Sequence, residues 1–332
     1  MIGGSRTITS QGGTDNRIKK LSVIYIVTTD EISFYYGAQA GEGGILMGNN
    51  SQIEGNVFSN GSILPSGGGT SNITDTVTVA GNGNKIEAVN IGGDAYVHSC
   101  KDSDISGTLY YVSGGSIQNC TYTDANDMGP NEITAGSMPI SDQQMNDWKD
   151  KAIAGGTITG DYILTNNASD SLGPIRITGN MHIYNNVVLT MTGLIYVEGD
   201  ITIENNATVQ LSSSFGSSSG LIISDGQIIV TNNTILQGSG QAGSFLMLAS
   251  TNNSVDLDNP AIDIQNNATA AIFYASDGVI YLRNNINVRE ATGYMLALDN
   301  NAVISYDSGS ANTNFSTGPG GSWQVRDWKE IE

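Results

Sequence analysis

The sequence predicts an all-β chain wound as a single-stranded β-solenoid (β-helix), and three observations predict it. Two consecutive stretches, Ile175–Leu189 and Ile195–Val209, match position by position at an offset of 20 residues: apolar meets apolar, Gly179 meets Gly199, and Asn185-Asn186 meets Asn205-Asn206. A shorter unit, two alternating apolar residues, a spacer and then Asn-Asn, recurs as Ile45/Met47 before Asn49-Asn50, Tyr162/Leu164 before Asn166-Asn167 and Ile228/Val230 before Asn232-Asn233. It returns as Ile262/Ile264 before Asn266-Asn267, Ile280/Leu282 before Asn284-Asn285 and Leu296/Leu298 before Asn300-Asn301. Finally, Gly followed by Asn or Asp introduces strand-like runs at Gly55-Asn56, Gly93-Asp94, Gly160-Asp161, Gly179-Asn180 and Gly199-Asp200.

The physics of the unit is that of one coil. Alternation with period two makes a strand with one face inward, and Asn tolerates the left-handed backbone that a sharp corner needs. A hairpin reading is disfavoured because tight hairpins take Asn-Gly or Asp-Gly. From Asn166 onward the pairs begin 19, 20, 27, 20, 14, 18 and 16 residues apart, with Asn252-Asn253 as an imperfect instance, so coils of about 14–27 residues are expected.

Taken in order, residues 1–135 read as an N-terminal β segment with short coils, since Gly93–Val97 and Gly107–Tyr111 are offset by only 14 residues. Residues 136–156 read as a linker and an amphipathic helix near 142–154. Ser141 and Gln144 have capping-box spacing, Ile140 and Met145 staple spacing, and Met145, Trp148 and Ala152 share one face, with Ile153 as a further candidate for it. Packing on the solenoid flank is the expected role, with a partner-binding latch as the alternative. Residues 157–332 read as the regular solenoid, interrupted by a Ser/Gly excursion at 212–220 whose Phe215 is expected to fold back. The stretch ends in a Trp-rich segment: Trp323 and Trp328 read either as a cap over open strand edges or as a docking surface for a partner.

Composition narrows the function. With 13 Lys plus Arg against 32 Asp plus Glu, the 332-residue chain carries a formal charge of −19. No basic cluster exists to contact phosphates, which argues against nucleic acid and anionic membranes, and no apolar run is long enough to span a bilayer. The first residues lack a signal-peptide pattern. Gly (42) and Asn (34) replace charged residues, which total only 14%. Cys100 and Cys120 are either one disulfide or two buried thiols.

Parallel β-helices host many polysaccharide-cleaving enzymes. The carboxylate pairs that would suit such chemistry are Asp256/Asp258 and Asp102/Asp104, because i and i+2 on a strand point the same way. Basic residues to hold a sugar acid are nearly absent from the strands, and His182, between Met181 and Ile183, is expected to face solvent. Ca²⁺ is a candidate ion for acidic Gly/Asn-rich coils, although calcium-roll nonapeptides are missing. Ice binding calls for a regular Thr ladder, and Thr is scattered. Ten Asn-x-Ser/Thr sequons are what such a composition produces by chance.

The stretch Gly37–Ile63, the helix that begins after Met138–Ser141 and the Trp323 to Trp328 ending resemble the surface part of bacterial pilus-assembly, minor-pilin-like proteins. That resemblance implies a β-solenoid body preceded by a membrane-anchoring helix, which this chain lacks at its start, and other cell-surface or pilus subunits as partners. The Gly-Asn rhythm is also similar to polymer-forming bactofilins. The expected function is a non-enzymatic extracellular structural or adhesive solenoid on a cell-surface filament or envelope. The alternatives are a polysaccharide-binding or polysaccharide-cleaving (lyase, hydrolase or tailspike-like) β-helix, and a bactofilin-like scaffold.

Overall fold

The computed structural model describes residues 5–14, 17–28, 30–32, 34–266, 271–306, 313–315 and 322–331, with side chains at 34–266 and 271–306 and at Thr9, Ser22 and Phe315. The chain is a parallel β-solenoid with three faces. In one coil, Ile195–Val197 lies on the first face, Ile201–Glu204 on the second and Thr208–Leu211 on the third, and each strand pairs in parallel with its counterpart one coil on.

Two devices turn the corners. Between the second and third faces stand the Asn pairs, with both residues left-handed at 185/186, 205/206 and 232/233 (φ 56° to 66°). The second Asn of each pair donates its backbone N–H to the carbonyl of the first Asn one coil on, as in Asn186 N to Asn205 O (3.0 Å) and Asn206 N to Asn232 O (2.9 Å). Their side-chain amides form a second ladder, Asn206 Nδ2 to Asn186 Oδ1 (3.2 Å) and Asn232 Nδ2 to Asn205 Oδ1 (3.1 Å). Between the first and second faces the Gly-Asx pairs work differently. Asp161, Asn180 and Asp200 each accept, through Oδ1, a backbone N–H of the next coil, from Asn180, Asp200 and Gln227 at 2.7, 2.9 and 2.8 Å.

The order of coils in space is not their order in sequence. One inward ladder runs Met181, Ile201, Ile228, Ile262, Ile280, Leu296, Ile45, Ile63, Ile86, Cys100, Ile117. Strand Glu290–Leu298 therefore pairs with Ala38–Met47, and the last coil is covered by the first. The stack begins at Thr157–Leu172 and finishes at Asp124–Asp127, both in mid-chain, and the residues on either side of 136–156 share one hydrophobic core. Each buried Ile or Leu of this ladder contributes roughly 1.5–3 kcal/mol.

The segment 128–141 carries the chain back along the stack. It is held in succession by Ser113 N to Gly129 O (2.9 Å), His98 Nδ1 with Glu132 Oε1 (2.8 Å), Gly81 N to Ile133 O (3.1 Å), Asn60 Nδ2 to Gly136 O (2.8 Å) and Gln39 Nε2 to Ser137 O (2.8 Å). Tyr274 then donates its hydroxyl to Ile140 O (2.7 Å). The helix that follows, Asp142–Gly155, starts on Ser141, whose side chain accepts from Gln144 N, and buries Met145, Trp148 and Ala152. Ile153 is exposed. The helix covers an apolar outer stripe of the first face that includes Leu194, Tyr196, Ile223 and Tyr274.

Two details differ from the periodicity. Asn252-Asn253 is not a corner: it lies in an irregular loop, and Asn233 N pairs with Asn266 O, so that coil spans 34 residues rather than two shorter ones. Its excess length is taken up by segments 238–245 and 251–261. Outside the solenoid, Ser5–Thr14, Arg17–Thr28 and Ser322–Ile331 form a three-stranded antiparallel sheet, and Asp30–Ile32 pairs antiparallel with Thr313–Phe315.

Candidate functional site

Asp256 and Asp258 sit on the irregular loop, not on a strand, so the two-residue alternation does not apply to them. Both are exposed, and Asp256 Oδ1 accepts the backbone N–H of Asp258 (3.0 Å), which makes the pair a turn rather than two converging acids. Asp102 has φ 49° and is likewise off the strand pattern. Its carboxylate accepts from Asn119 Nδ2 (2.8 Å), while Asp104 stands on the third face. The loop that carries Asp256 is tied down by Arg283, whose Nε donates to the buried Asp263 (2.7 Å) and whose Nη2 donates to Leu257 O (3.0 Å), with the guanidinium over the Tyr281 ring.

Cys100 and Cys120 form a disulfide that ties neighbouring coils near one end of the stack. His182 is partly exposed, and its Nε2 lies 2.8 Å from Glu204 Oε1. Trp323 and Trp328 belong to the antiparallel strand Ser322–Ile331, opposite Val27 and Val23, but their side chains lie outside the described residues. Among the described residues no three His, Cys, Asp or Glu side chains converge on a position that could hold a metal ion.

Three groupings escaped sequence reasoning. Beside the helix, Asp225 receives Lys149 Nζ (2.5 Å), Tyr196 Oη (2.5 Å) and Thr251 Oγ1 (2.8 Å). Burial pushes the Asp225 carboxyl up, but the hydrogen bonds from Lys149, Tyr196 and Thr251 outweigh it and hold the group below the usual carboxylate range. These four residues come from distant positions, and nothing in their local sequence links them. The second is Glu290, fully buried next to Ile272 on the outer side of the first face. Burial raises its carboxyl well above the ordinary value, and the hydrogen bond from Thr292 offsets this only in part. Its other oxygen, Oε2, has no partner. Glu290 opens the strand Glu290–Leu298 in register with outward-facing Ile272, and that outward position is nonetheless buried. The third is an uncharged groove on the third face, built by the excursions after Leu211 and Gln237.

No helix among the described residues is long and apolar enough to cross a membrane. No protein-family model and no curated protein matches the chain. Among solved structures, it is similar to an ice-binding protein from the Antarctic ascomycete Antarctomyces psychrotrophicus at 11% identity and TM-score 0.33, covering 82% of this chain and 96% of that one. An ice-binding protein from an Antarctic Flavobacteriaceae bacterium gives 10% identity and TM-score 0.23, covering 81% of this chain and 96% of that one. The competence-associated pilin ComZ from Thermus thermophilus gives 9% identity and TM-score 0.21, covering 98% of this chain and 81% of that one.

Proposed function

We propose that the chain is a non-enzymatic, extracellular structural and adhesive module, carried by a cell-surface filament or envelope. The observation that supports this most directly is where the chain leaves the solenoid. Strands Arg17–Thr28 and Ser322–Ile331 pair with each other outside the stack, so the whole solenoid is a single excursion from a small antiparallel sheet. Attachment through that sheet leaves the stiff body projecting, with the helix covering only a stripe of its first face.

Two further observations favour this reading. A disulfide persists in oxidising surroundings outside the cytoplasm. The stack ends are also unsuited to end-to-end polymerisation. Asp124 caps the N–H of Ala125, and Asp170 that of Ser171, at 2.8 Å each, placing acidic groups on the edge strands at opposite ends.

The test is immunogold electron microscopy with fractionation of producing cells. Label on filaments or the envelope is the expected result. Label confined to the cytoplasm, or release of reducing ends from a panel of acidic and neutral polysaccharides that is abolished by Asp256→Asn with Asp258→Asn, overturns the reading.

A further inference from the structure

In a chain with a net charge of −19, two concave surfaces among the described residues are lined by no charged side chain, and the one lined by Gln, Ser and Thr carries the inference. It is a groove of about 480 Å³ on the third face. Its floor is a row of hydrogen-bonding side chains one coil apart, Thr190, Gln210 and Gln237. Gln210 donates to Thr190 Oγ1 (3.2 Å), and Gln237 donates to Gln210 Oε1 (2.7 Å), so the amides are held in one orientation. Gln241 stands exposed at the rim, and its side chain has no partner among the described residues.

The walls are built rather than incidental. Neither excursion is needed to close a coil, since the tightest neighbouring coils manage with 19 or 20 residues. The first excursion is anchored by Phe215, which is 2% exposed. The two are then fastened to each other. Ser239 Oγ donates to Gly216 O, Ser244 Oγ donates to Ser218 O (2.8 Å), and Ser219 Oγ accepts from Phe245 N (2.8 Å). Such cross-bracing makes a rigid cleft, and rigidity lowers the entropy lost on binding.

We propose that this groove binds a neutral glycan, laid along the solenoid axis. The proposal rests on the adhesive reading above and names its ligand class. Sugar hydroxyls need both donors and acceptors, and Gln, Ser and Thr side chains offer both without charge. The C–H faces of a sugar ring need apolar surface, and Ile235, 46% exposed in the adjoining outward row of the same strand, supplies it. Successive coils repeat the row about every 4.8 Å, so a linear chain meets the same chemistry more than once. Acidic glycans are excluded by the chain's own negative field.

The test titrates the intact protein with neutral oligosaccharides of glucose, galactose and N-acetylglucosamine, and with an oligouronide as the acidic control. Side-chain amide resonances of Gln210 and Gln237 are followed by NMR, which needs no variant. At least one neutral oligosaccharide is expected to shift those resonances with a Kd on the order of 1 mM or tighter. The double variant Gln210→Ala with Gln237→Ala is expected to bind at least 10-fold more weakly at unchanged thermal stability, and Asn72→Ala with Asn90→Ala, in a separate six-stranded sheet, to bind as the parent does. No binding by any neutral oligosaccharide, binding of the oligouronide alone, or an unchanged affinity in the Gln variant overturns the groove. Cell-surface labelling reads out independently, so a surface protein with an inert groove would sink only this inference.

Discussion

Asp200 Oδ1 accepts the backbone N–H of Gln227 one coil further on, and it occupies the space that a β-carbon on Gly226 would take. The same relation joins Asp161 to Gly179, Asn180 to Gly199 and Asp94 to Gly107. The Gly-Asx motif is thus a reciprocal device: each Asx side chain reaches the next coil, and each Gly leaves room for the Asx of the coil before it. Gly226→Ala should therefore destabilise the protein by about 2 kcal/mol or more. Gly68→Ala, where nothing lies within 4 Å of the added carbon, should stay within about 0.5 kcal/mol of the parent. Urea unfolding monitored by circular dichroism distinguishes the two.

Glu290 gives a pH dependence of known sign. Its folded carboxyl is raised, so the native state holds a proton that the unfolded chain releases above about pH 4.3. Stability is then lost as pH rises through the folded value. Glu290→Gln removes this loss, and the difference in melting temperature between variant and parent should grow in the variant's favour from pH 4 to pH 8. A difference that is flat with pH would contradict a buried neutral acid.

Asp225 has the opposite sign. Burial acts to raise it, but the bonds from Lys149, Tyr196 and Thr251 hold it low, so it stabilises the fold above the unfolded value of about 3.9 and the contribution fades as pH falls through the lower folded one. The Asp225 side chain is 35% exposed, so solvent screening reduces the effect. Asp225→Asn should cost about 1–2 kcal/mol at pH 7 and progressively less as pH falls below the unfolded value, read from denaturant midpoints along that series.

The Cys100–Cys120 bridge closes a 20-residue separation near a stack end. Reduction, or Cys100→Ser with Cys120→Ser, should lower stability by about 3 kcal/mol. Calorimetry with and without reductant measures it, and the double variant should show no further response to reductant.

Much of this architecture was legible from local patterns. Strand alternation around Met181 and Ile201, the left-handed corners at Asn185-Asn186 and Asn205-Asn206, and the helix face of Met145, Trp148 and Ala152 each follow from the conformational limits of a few adjacent residues. Where local rules compete, the reading slipped. Asn252-Asn253 carries the corner composition after strand Leu246–Ser250 but has no strand following it, and Asp256/Asp258 carries the strand spacing inside a turn. The groove was invisible because Gln210 and Gln237 become neighbours only when a coil of 27 residues is stacked in register.

The sequence by itself determined that the chain winds in coils, where the Asn-Asn corners from Asn166 to Asn233 fall and which side chains of those coils turn inward, because these depend on φ/ψ limits and on alternation within one strand. Only the tertiary structure decided the order of the coils. The edge of a parallel strand offers the same N–H and C=O groups to any partner, so nothing local tells Leu296 that Ile45 will lie above it. The return of 128–155 along the stack settles that order. It also leaves the solenoid ends in mid-chain and brings Arg17–Thr28 against Ser322–Ile331.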